Sequence, residues 1–358
     1  MISSCYVHVP FCDCICSYCD FTRLVASDDV IVKWKSKIIS EIKDYSISGL
    51  ETLYFGGGTP SLLDISDFTE IRNLFPKQIR EFTVECNPES IDESKIKAYK
   101  ELGVNRVSLG VQSFNDDILK VCNRRHTSKE AISSIKMIQK FIPNLSIDLI
   151  FGLPNQTLED VKRDIEIFLG LEIPHLSIYS LQIEPNSIFG KKGIEPCDSD
   201  LEADMFEYIV KTLKENGYEH YEISSFCKDG QYSSHNLAYW QDLDFYGIGC
   251  GASGKLNNER YDNTKNLKEY LDNGPCVSWI EESRIEQSFT AIMMGLRTKF
   301  GLNIDEWDRK YNHDFMLSYK NVIHKYEDYF EIDNNHIRLN DKGLEILNTI
   351  LVDFMMIE

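Results

Sequence analysis

Tyr6-Val-His-Val-Pro-Phe-Cys-Asp-Cys-Ile-Cys-Ser-Tyr-Cys-Asp-Phe21 is the stretch on which the fold turns. It opens as a short β-rich run and breaks into a loop carrying Cys12, Cys16 and Cys19, spaced C-x3-C-x2-C. Three thiolates clustered so tightly can hold three irons of a cubane [4Fe–4S] cluster, leaving the fourth iron without a protein ligand. That iron is a coordination position for a small molecule. Structural zinc wants four ligands, usually as two paired C-x2-C arms, and no second arm follows. Disulfides among neighbours this close would be strained. Cys14 lies inside the motif but off the spacing and reads as a bystander.

Outward from this loop, short apolar β-rich runs alternate with longer helical stretches. The runs are Cys5–Val9, Thr52–Phe55, Phe82–Cys86, Arg106–Gly110, Ser146–Ile150 and His175–Ser180. Helical periodicity marks Asp29–Tyr45, Ser66–Phe75, Asp92–Leu102, Ser128–Phe141, Leu158–Leu169 and Ser199–Asn216. β-then-α units repeated this way predict an α/β fold with a parallel sheet and helices outside it. Eight units would close a full barrel. Six predict an open, partial (β/α)6 barrel.

Ligand groups in such a sheet gather at the carboxyl ends of the strands. The first run leads into the cysteine loop, and the second ends in Gly56-Gly-Gly-Thr-Pro60. Glu85 closes the third, Gln112 follows the fourth, Asp148 lies in the fifth and Gln182 follows the sixth. A polar or glycine feature at every strand end predicts one face surrounding one ligand.

Composition bounds the rest. Of 358 residues, 42% are hydrophobic, ordinary for a chain with a real core. Lys plus Arg number 38 and Asp plus Glu 57, so the net charge is 38 − 57 = −19. That argues against a broad nucleic-acid interface. Eleven cysteines, an odd count with one tight cluster, suit a reducing cytosol better than a disulfide scaffold. No signal peptide is expected ahead of the first strand, and no apolar run reaches the ~20 residues of a membrane span. A cytoplasmic location is expected, with peripheral contact to a membrane left open.

The Tyr6–Phe21 stretch, set with Gly56–Pro60, resembles the start of the radical S-adenosylmethionine (SAM) enzymes. Within them it is most similar to the branch holding oxygen-independent coproporphyrinogen III oxidase (HemN) and the HemW heme chaperones, and the resemblance runs nearly end to end. It implies a cluster on Cys12, Cys16 and Cys19, SAM chelating the open iron, and an electron donor such as flavodoxin or ferredoxin. By the same resemblance the SAM contacts are Tyr6, Tyr18, Gly57, Gly58, Thr59, Glu85, Gln112, Arg124, Asp148 and Gln182. Taken singly, each of these reads as a strand-end cap or a surface charge, and Arg125 stands beside Arg124. His8 reads as a packed histidine, and Cys86, Cys122, Cys197, Cys227 and Cys276 as small core residues.

His235-Asn236-Leu-Ala-Tyr239-Trp240 resembles the HNxxYW segment of the HemW group and implies a heme site. Histidine is a common axial ligand of heme iron, and tyrosine and tryptophan offer flat apolar area. A packed corner in which His235 caps a turn is the alternative, and Cys250 is a lesser candidate ligand. Beyond residue 286 the helix-rich pattern, an Asp333-Asn-Asn335 turn and a final helix over Asp341–Met356 predict a small α+β winged-helix-like domain. Asn257–Asn266 reads as a loop. The expected division is 1–225 for the barrel, 226–285 for a joining segment with the HNxxYW stretch, and 286–358 for a HemN C-terminal-like accessory domain.

Two departures from the oxidase pattern decide between the branches. The oxidase carries a further cysteine two residues past the third ligand, where this chain has Phe21. It also carries an extended segment ahead of the first strand. The expectation is therefore a heme carrier that passes heme to an acceptor hemoprotein. The rivals are the oxidative decarboxylation of coproporphyrinogen III and, less favoured by the acidic charge, a tRNA- or peptide-modifying radical enzyme. No catalytic residue is assigned.

Overall fold

The computed structural model describes residues 2–333 and 335–355. Six parallel strands, β1 (Ser4–Val9), β2 (Thr52–Gly57), β3 (Glu81–Cys86), β4 (Arg106–Gln112), β5 (Leu145–Phe151) and β6 (His175–Ser180), lie side by side in chain order. Between them run α1 (Asp28–Tyr45), α2 (Ile65–Arg72), α3 (Glu93–Glu101), α4 (Asp116–Val121), α5 (Ser128–Gln139) and α6 (Leu158–Gly170). A short α7 (Ile188–Lys191) and a long α8 (Ser199–Glu215) follow. This is the predicted partial (β/α)6 barrel. Thr127 and Thr157 start α5 and α6 through capping boxes with Glu130 and Asp160, which satisfies amide groups that would otherwise be orphaned.

The sheet does not stop at six strands. Beyond β6, antiparallel β8 (Ser225–Cys227) and β7 (Glu219–Glu222) extend one edge. On the other edge β9 (Phe245–Ile248) pairs parallel with β1, followed by antiparallel β10 (Ser253–Leu256), β11 (Glu259–Asn263) and β12 (Val277–Ile280). The Asn257–Asn266 loop expectation is therefore corrected. The stretch is polar because β11 buries only Tyr261 and Asn263 on one face, and its other residues are charged and more exposed.

Side chains alternate across each barrel strand. The outward set, such as Val7, Phe55, Val84, Leu109 and Ile147, packs on Trp34, Ile38, Phe68, Ile135 and Phe168 of the helices. The inward set is polar: Tyr54 on β2, Thr83 and Glu85 on β3, Arg106 and Ser108 on β4, Asp148 on β5, Ser177 on β6. Closed barrels of this type usually fill the lumen with branched apolar residues. A lumen of hydroxyls and charges is instead a place for polar ligands.

After β8 come α9 (Ser234–Trp240) and α10 (Leu267–Asn273), then a second apolar core. It gathers α11 (Arg284–Gly295), α12 (Ile304–Tyr311), α13 (Phe315–Ser318) and α14 (Lys320–Lys325) with a three-stranded sheet of β13 (Leu302–Asn303), β15 (His336–Leu339) and β14 (Phe330–Asp333). The predicted hairpin is β14–β15, with Asn334 of its turn outside the described residues. The predicted last helix is broken at Ile346 into α15 (Asp341–Glu345) and α16 (Leu347–Met355), with Met356 outside the described residues. Among the described residues no helix is long and apolar enough to cross a membrane. Cys86, Cys122 and Cys227 are buried as expected, but Cys197 is half-buried and Cys276 exposed, so those two are not core residues.

Candidate functional site: two adjoining cavities

A cavity of about 460 Å³ opens at the carboxyl ends of the strands. Its first wall is the cysteine loop, with Cys12, Cys16, Cys19 and Tyr18. The loop is clamped to the glycine turn by two backbone bonds, Gly58 N–H to the Val9 carbonyl at 2.8 Å and Thr59 N–H to the Phe11 carbonyl at 2.7 Å. A Cβ on Gly58 would stand 2.6 Å from the Phe11 carbonyl oxygen, so only glycine lets these segments meet. Gly57 has φ +113°, and a Cβ there would strike the His8 ring at 2.5 Å.

The opposite wall carries the charges. Glu85 accepts from the Tyr54 hydroxyl at 2.7 Å and from the Gly57 N–H at 3.0 Å. Burial nevertheless pushes its pKa up to about 7. Asp148 accepts from Ser108 at 3.1 Å, and burial pushes it up to about 6. Gln112 lies in the cavity at a β-bulge with φ 69°, a conformation that re-aims the end of β4. Gln182 follows β6 into the same space.

Arg124 ties the charged wall to the thiols. It donates to Gly110 carbonyl at 2.6 Å, to Asn87 Oδ1 at 2.9 Å and to Cys16 Sγ at 3.3 Å. Asn87 donates to Thr59 at 3.1 Å, and Thr59 reaches Cys12 Sγ at 3.7 Å. Burial alone would lower the Arg124 pKa, but Tyr18, Cys16 and Glu89 around it raise it above the usual value. Arg125 instead pairs with Asp13 at 2.9 Å on the surface.

The donor set can be tested against the implied cluster. All three spaced cysteines are free thiols on one cavity wall. Burial, the dominant cause for both, raises Cys12 to about 11 and also raises Cys19, so each holds its proton until a metal displaces it. Among the described residues no three His, Cys, Asp or Glu side chains surround a single ion. A cubane asks instead for one thiol on each of three irons, and the loop carries three spaced cysteines. The residues fit the group.

A second cavity of about 350 Å³ shares Tyr54, Glu85, Tyr179 and Asn236 with the first. It is walled by Tyr6, Tyr239, Trp240 and His235 of the HNxxYW helix α9, and by Glu222 and Arg297. Tyr6 therefore stands in this cavity, its hydroxyl 3.0 Å from His8 Nδ1, rather than with the other residues expected near SAM.

His235 is fully buried and engaged on every side. Its backbone N–H and that of Ser234 donate to Glu81 at 2.8 Å, and its ring stacks on Tyr54 at 5.0 Å. Nδ1 lies 2.8 Å from Thr52 Oγ1 and Nε2 lies 2.6 Å from the Tyr239 hydroxyl. Thr52 donates its own proton to Ser4, so the network assigns the ring proton to Nδ1 and leaves Nε2 accepting from Tyr239. Burial, with Arg106 nearby, pushes the imidazole down to about 3, so it is neutral.

Sequence reading passed over Tyr54, Arg106, Ser108 and Tyr179, which also line the first cavity. The period-two face of β4 holds Arg106, Ser108 and Gly110, so walking back from Gln112 by twos finds them. Glu222 and Arg297 carry no such signal, since they come from distant segments.

Family models match the Radical SAM superfamily over residues 6–168 and the HemN C-terminal domain over residues 283–346. Heme chaperone HemW of Lactococcus lactis subsp. lactis (strain IL1403) is 37% identical, covering 99% of this chain and 97% of that protein. The chain belongs to the HemW family. Its Bacillus subtilis (strain 168) member is 33% identical over 87% of each chain, and that of Escherichia coli (strain K12) is 36% identical over 71% of this chain. The solved structure of coproporphyrinogen III oxidase (HemN) from Escherichia coli superposes with TM-score 0.84 over 99% of this chain and 90% of that one. At 19% identity, that likeness shows a shared fold. The radical SAM superfamily implies a [4Fe–4S] cluster and SAM, and the HemW name adds heme.

Proposed function

We propose that this protein is a heme chaperone that holds a [4Fe–4S] cluster on Cys12, Cys16 and Cys19, SAM in the first cavity and heme in the second, and releases heme to an acceptor hemoprotein. The observation that carries the reading is the pair of adjoining cavities, one walled by thiols and carboxylates and the other by tyrosines and the HNxxYW helix. The name printed for the relatives, heme chaperone, supports it.

When bound, the cluster offers an open iron to the amino and carboxylate groups of SAM and supplies one electron, delivered by a donor such as flavodoxin or ferredoxin. The chain's own part is positioning. Gly57, Gly58 and Thr59 let the backbone approach SAM closely, Glu85 and Asp148 accept from its donors, and Gln112 and Gln182 close the sides. Arg124, fixed by Asn87 and Gly110, places positive charge beside the Cys16 thiolate. Tyr18, on the cavity wall beside the thiols, would face SAM from the loop.

In the second cavity Tyr239, Trp240 and Asn236 would face the porphyrin. His235 Nε2 would take the iron, at the cost of its bond to Tyr239. The division proposed is barrel 1–225, joining segment 226–285 and accessory domain 286–358, with Ile248, Cys250 and Tyr270 of the joining segment packed into the barrel core.

Anaerobic reconstitution followed by separate titrations with SAM, heme and coproporphyrinogen III tests the proposal. Heme should bind near stoichiometrically and move to an apo-hemoprotein. Multiple-turnover release of carbon dioxide from labelled coproporphyrinogen III would replace the chaperone with the oxidase.

A further inference from the structure

Among the residues walling the second cavity, Arg297 is the one lysine or arginine. It follows α11, in the segment that the accessory domain sends back to the barrel. That segment is pinned in place: Thr298 forms an antiparallel bridge with Glu222, and the Lys299 N–H donates to the Tyr221 carbonyl at 3.0 Å. The guanidinium carbon lies 5.8 Å from the centre of the Trp240 ring, within cation–π reach. Its charge acts through space on Glu222 and favours the ionised form of that carboxyl, without a salt bridge between them. The Arg297 side chain forms no salt bridge and no hydrogen bond among the described residues, and its Nε is buried without a partner. Glu222, on the same wall, turns instead to the Ser224 N–H at 3.1 Å.

A buried donor left unpaired costs free energy that a ligand acceptor would recover. Much of the cavity wall is aromatic, with Tyr6, Tyr54, Tyr179, Tyr239 and Trp240 offering flat faces. The acidic side chains there, Glu85 and Glu222, offer an anion no positive charge and so leave Arg297 to set its orientation. The ligand that matches has a flat apolar body and a carboxylate at its edge.

We propose that Arg297 is the carboxylate-recognition residue of the second cavity and that its partner is a propionate of heme. This rests on the heme reading above. Guanidinium–carboxylate pairing is charge-assisted and directional, so it would also fix which edge of the porphyrin faces the accessory domain.

The test titrates cluster-loaded protein, by visible absorption, with heme and with heme dimethyl ester, whose propionates carry no charge. The full-length protein should bind heme about tenfold or more tighter than the diester. Arg297→Gln should lose most of that preference while binding the diester as before, and Arg297→Lys should keep part of it. If the unaltered protein binds neither porphyrin, the heme reading itself fails. If it binds both equally, heme is the cargo but Arg297 does not read its carboxylate. If Arg297→Gln loses the diester as well as heme, the residue acts by packing on Trp240 and the proposal is overturned.

Discussion

The two cavities share four wall residues and differ in almost everything else. The first is built on the strand ends of one sheet and the loops that follow them: five thiols, among them Cys12, Cys16 and Cys19, two carboxylates whose pKa values are raised by burial, and Arg106 and Arg124. The second is aromatic, holds one cation, and draws walls from the barrel, from α9 and from the segment after α11. Groups fixed on one sheet hold a ligand at a set geometry, as a resident cofactor needs. A compartment whose walls come from two apolar cores can open by moving one core against the other, as a cargo needs. On the function proposed above, the difference suits residence in one cavity and passage in the other.

The largest effect expected from separating them is loss of the cluster. Alanine at Cys12, Cys16 or Cys19 should take iron content from about four per chain to near zero. Cys14→Ala should leave it unchanged, although Cys14 accepts from Asn123 at 3.1 Å beside the loop. Heme titration of the same variants should stay near that of the parent. Iron loss in the Cys14 variant would reassign the ligands, and heme loss in the Cys12 variant would mean the cavities act as one.

Next in size is His235→Ala. Removing the ring strips Thr52 and Tyr239 of a partner inside the fold, a cost of about 1–3 kcal/mol read by denaturant titration. Heme affinity should fall about tenfold or more while iron content holds. An unchanged heme spectrum would return His235 to the role of a packed corner. Tyr239→Phe probes the same nitrogen more gently, because it releases Nε2 without emptying the site. Heme should then bind about two- to tenfold tighter, the worth of one ordinary hydrogen bond. Weaker binding with the same spectrum would make the Tyr239 hydroxyl a heme contact in its own right.

The first cavity was legible in the sequence because its residues sit at strand ends, and strand ends announce themselves by a change of pattern. Gly56–Pro60, Glu85 and Gln112 each interrupt an apolar run. The lumen deeper in was not read, since Arg106 and Ser108 sit within a run whose other face is wholly apolar and were absorbed into the strand. β11 was missed for the reverse reason: antiparallel, with Tyr261 and the polar Asn263 as its buried residues, it lacks the apolar alternation that marks a strand. The second cavity was half visible. The His235–Trp240 helix carries a motif, but its cation is supplied more than fifty positions later by tertiary contact, and its histidine proved fully engaged, which spacing alone could not reveal.

The smallest effect should come from a buried carboxylate that lines neither cavity. Glu41 on α1 joins the barrel to its β9–β11 extension, accepting from Tyr270 at 2.6 Å, from Asn263 at 3.0 Å and from the Gly249 N–H at 3.2 Å. Three donors favour the charged form, yet burial outweighs them and pushes the pKa up to about 7, above the ordinary 4.5. A carboxyl raised in the folded state binds its proton more tightly there than in the unfolded chain. Its stabilising contribution is complete below about pH 4.5 and is lost as pH rises through 7. Glu41→Gln cannot titrate, and it gives up one accepted bond. The variant should melt below the parent at pH 5, and the gap should narrow by a few degrees or close by pH 8. Cluster loading and heme binding should be the same in both. A gap that stayed constant or widened with pH would mean that the three donors hold Glu41 ionised, and that burial is not the stronger influence at this joint.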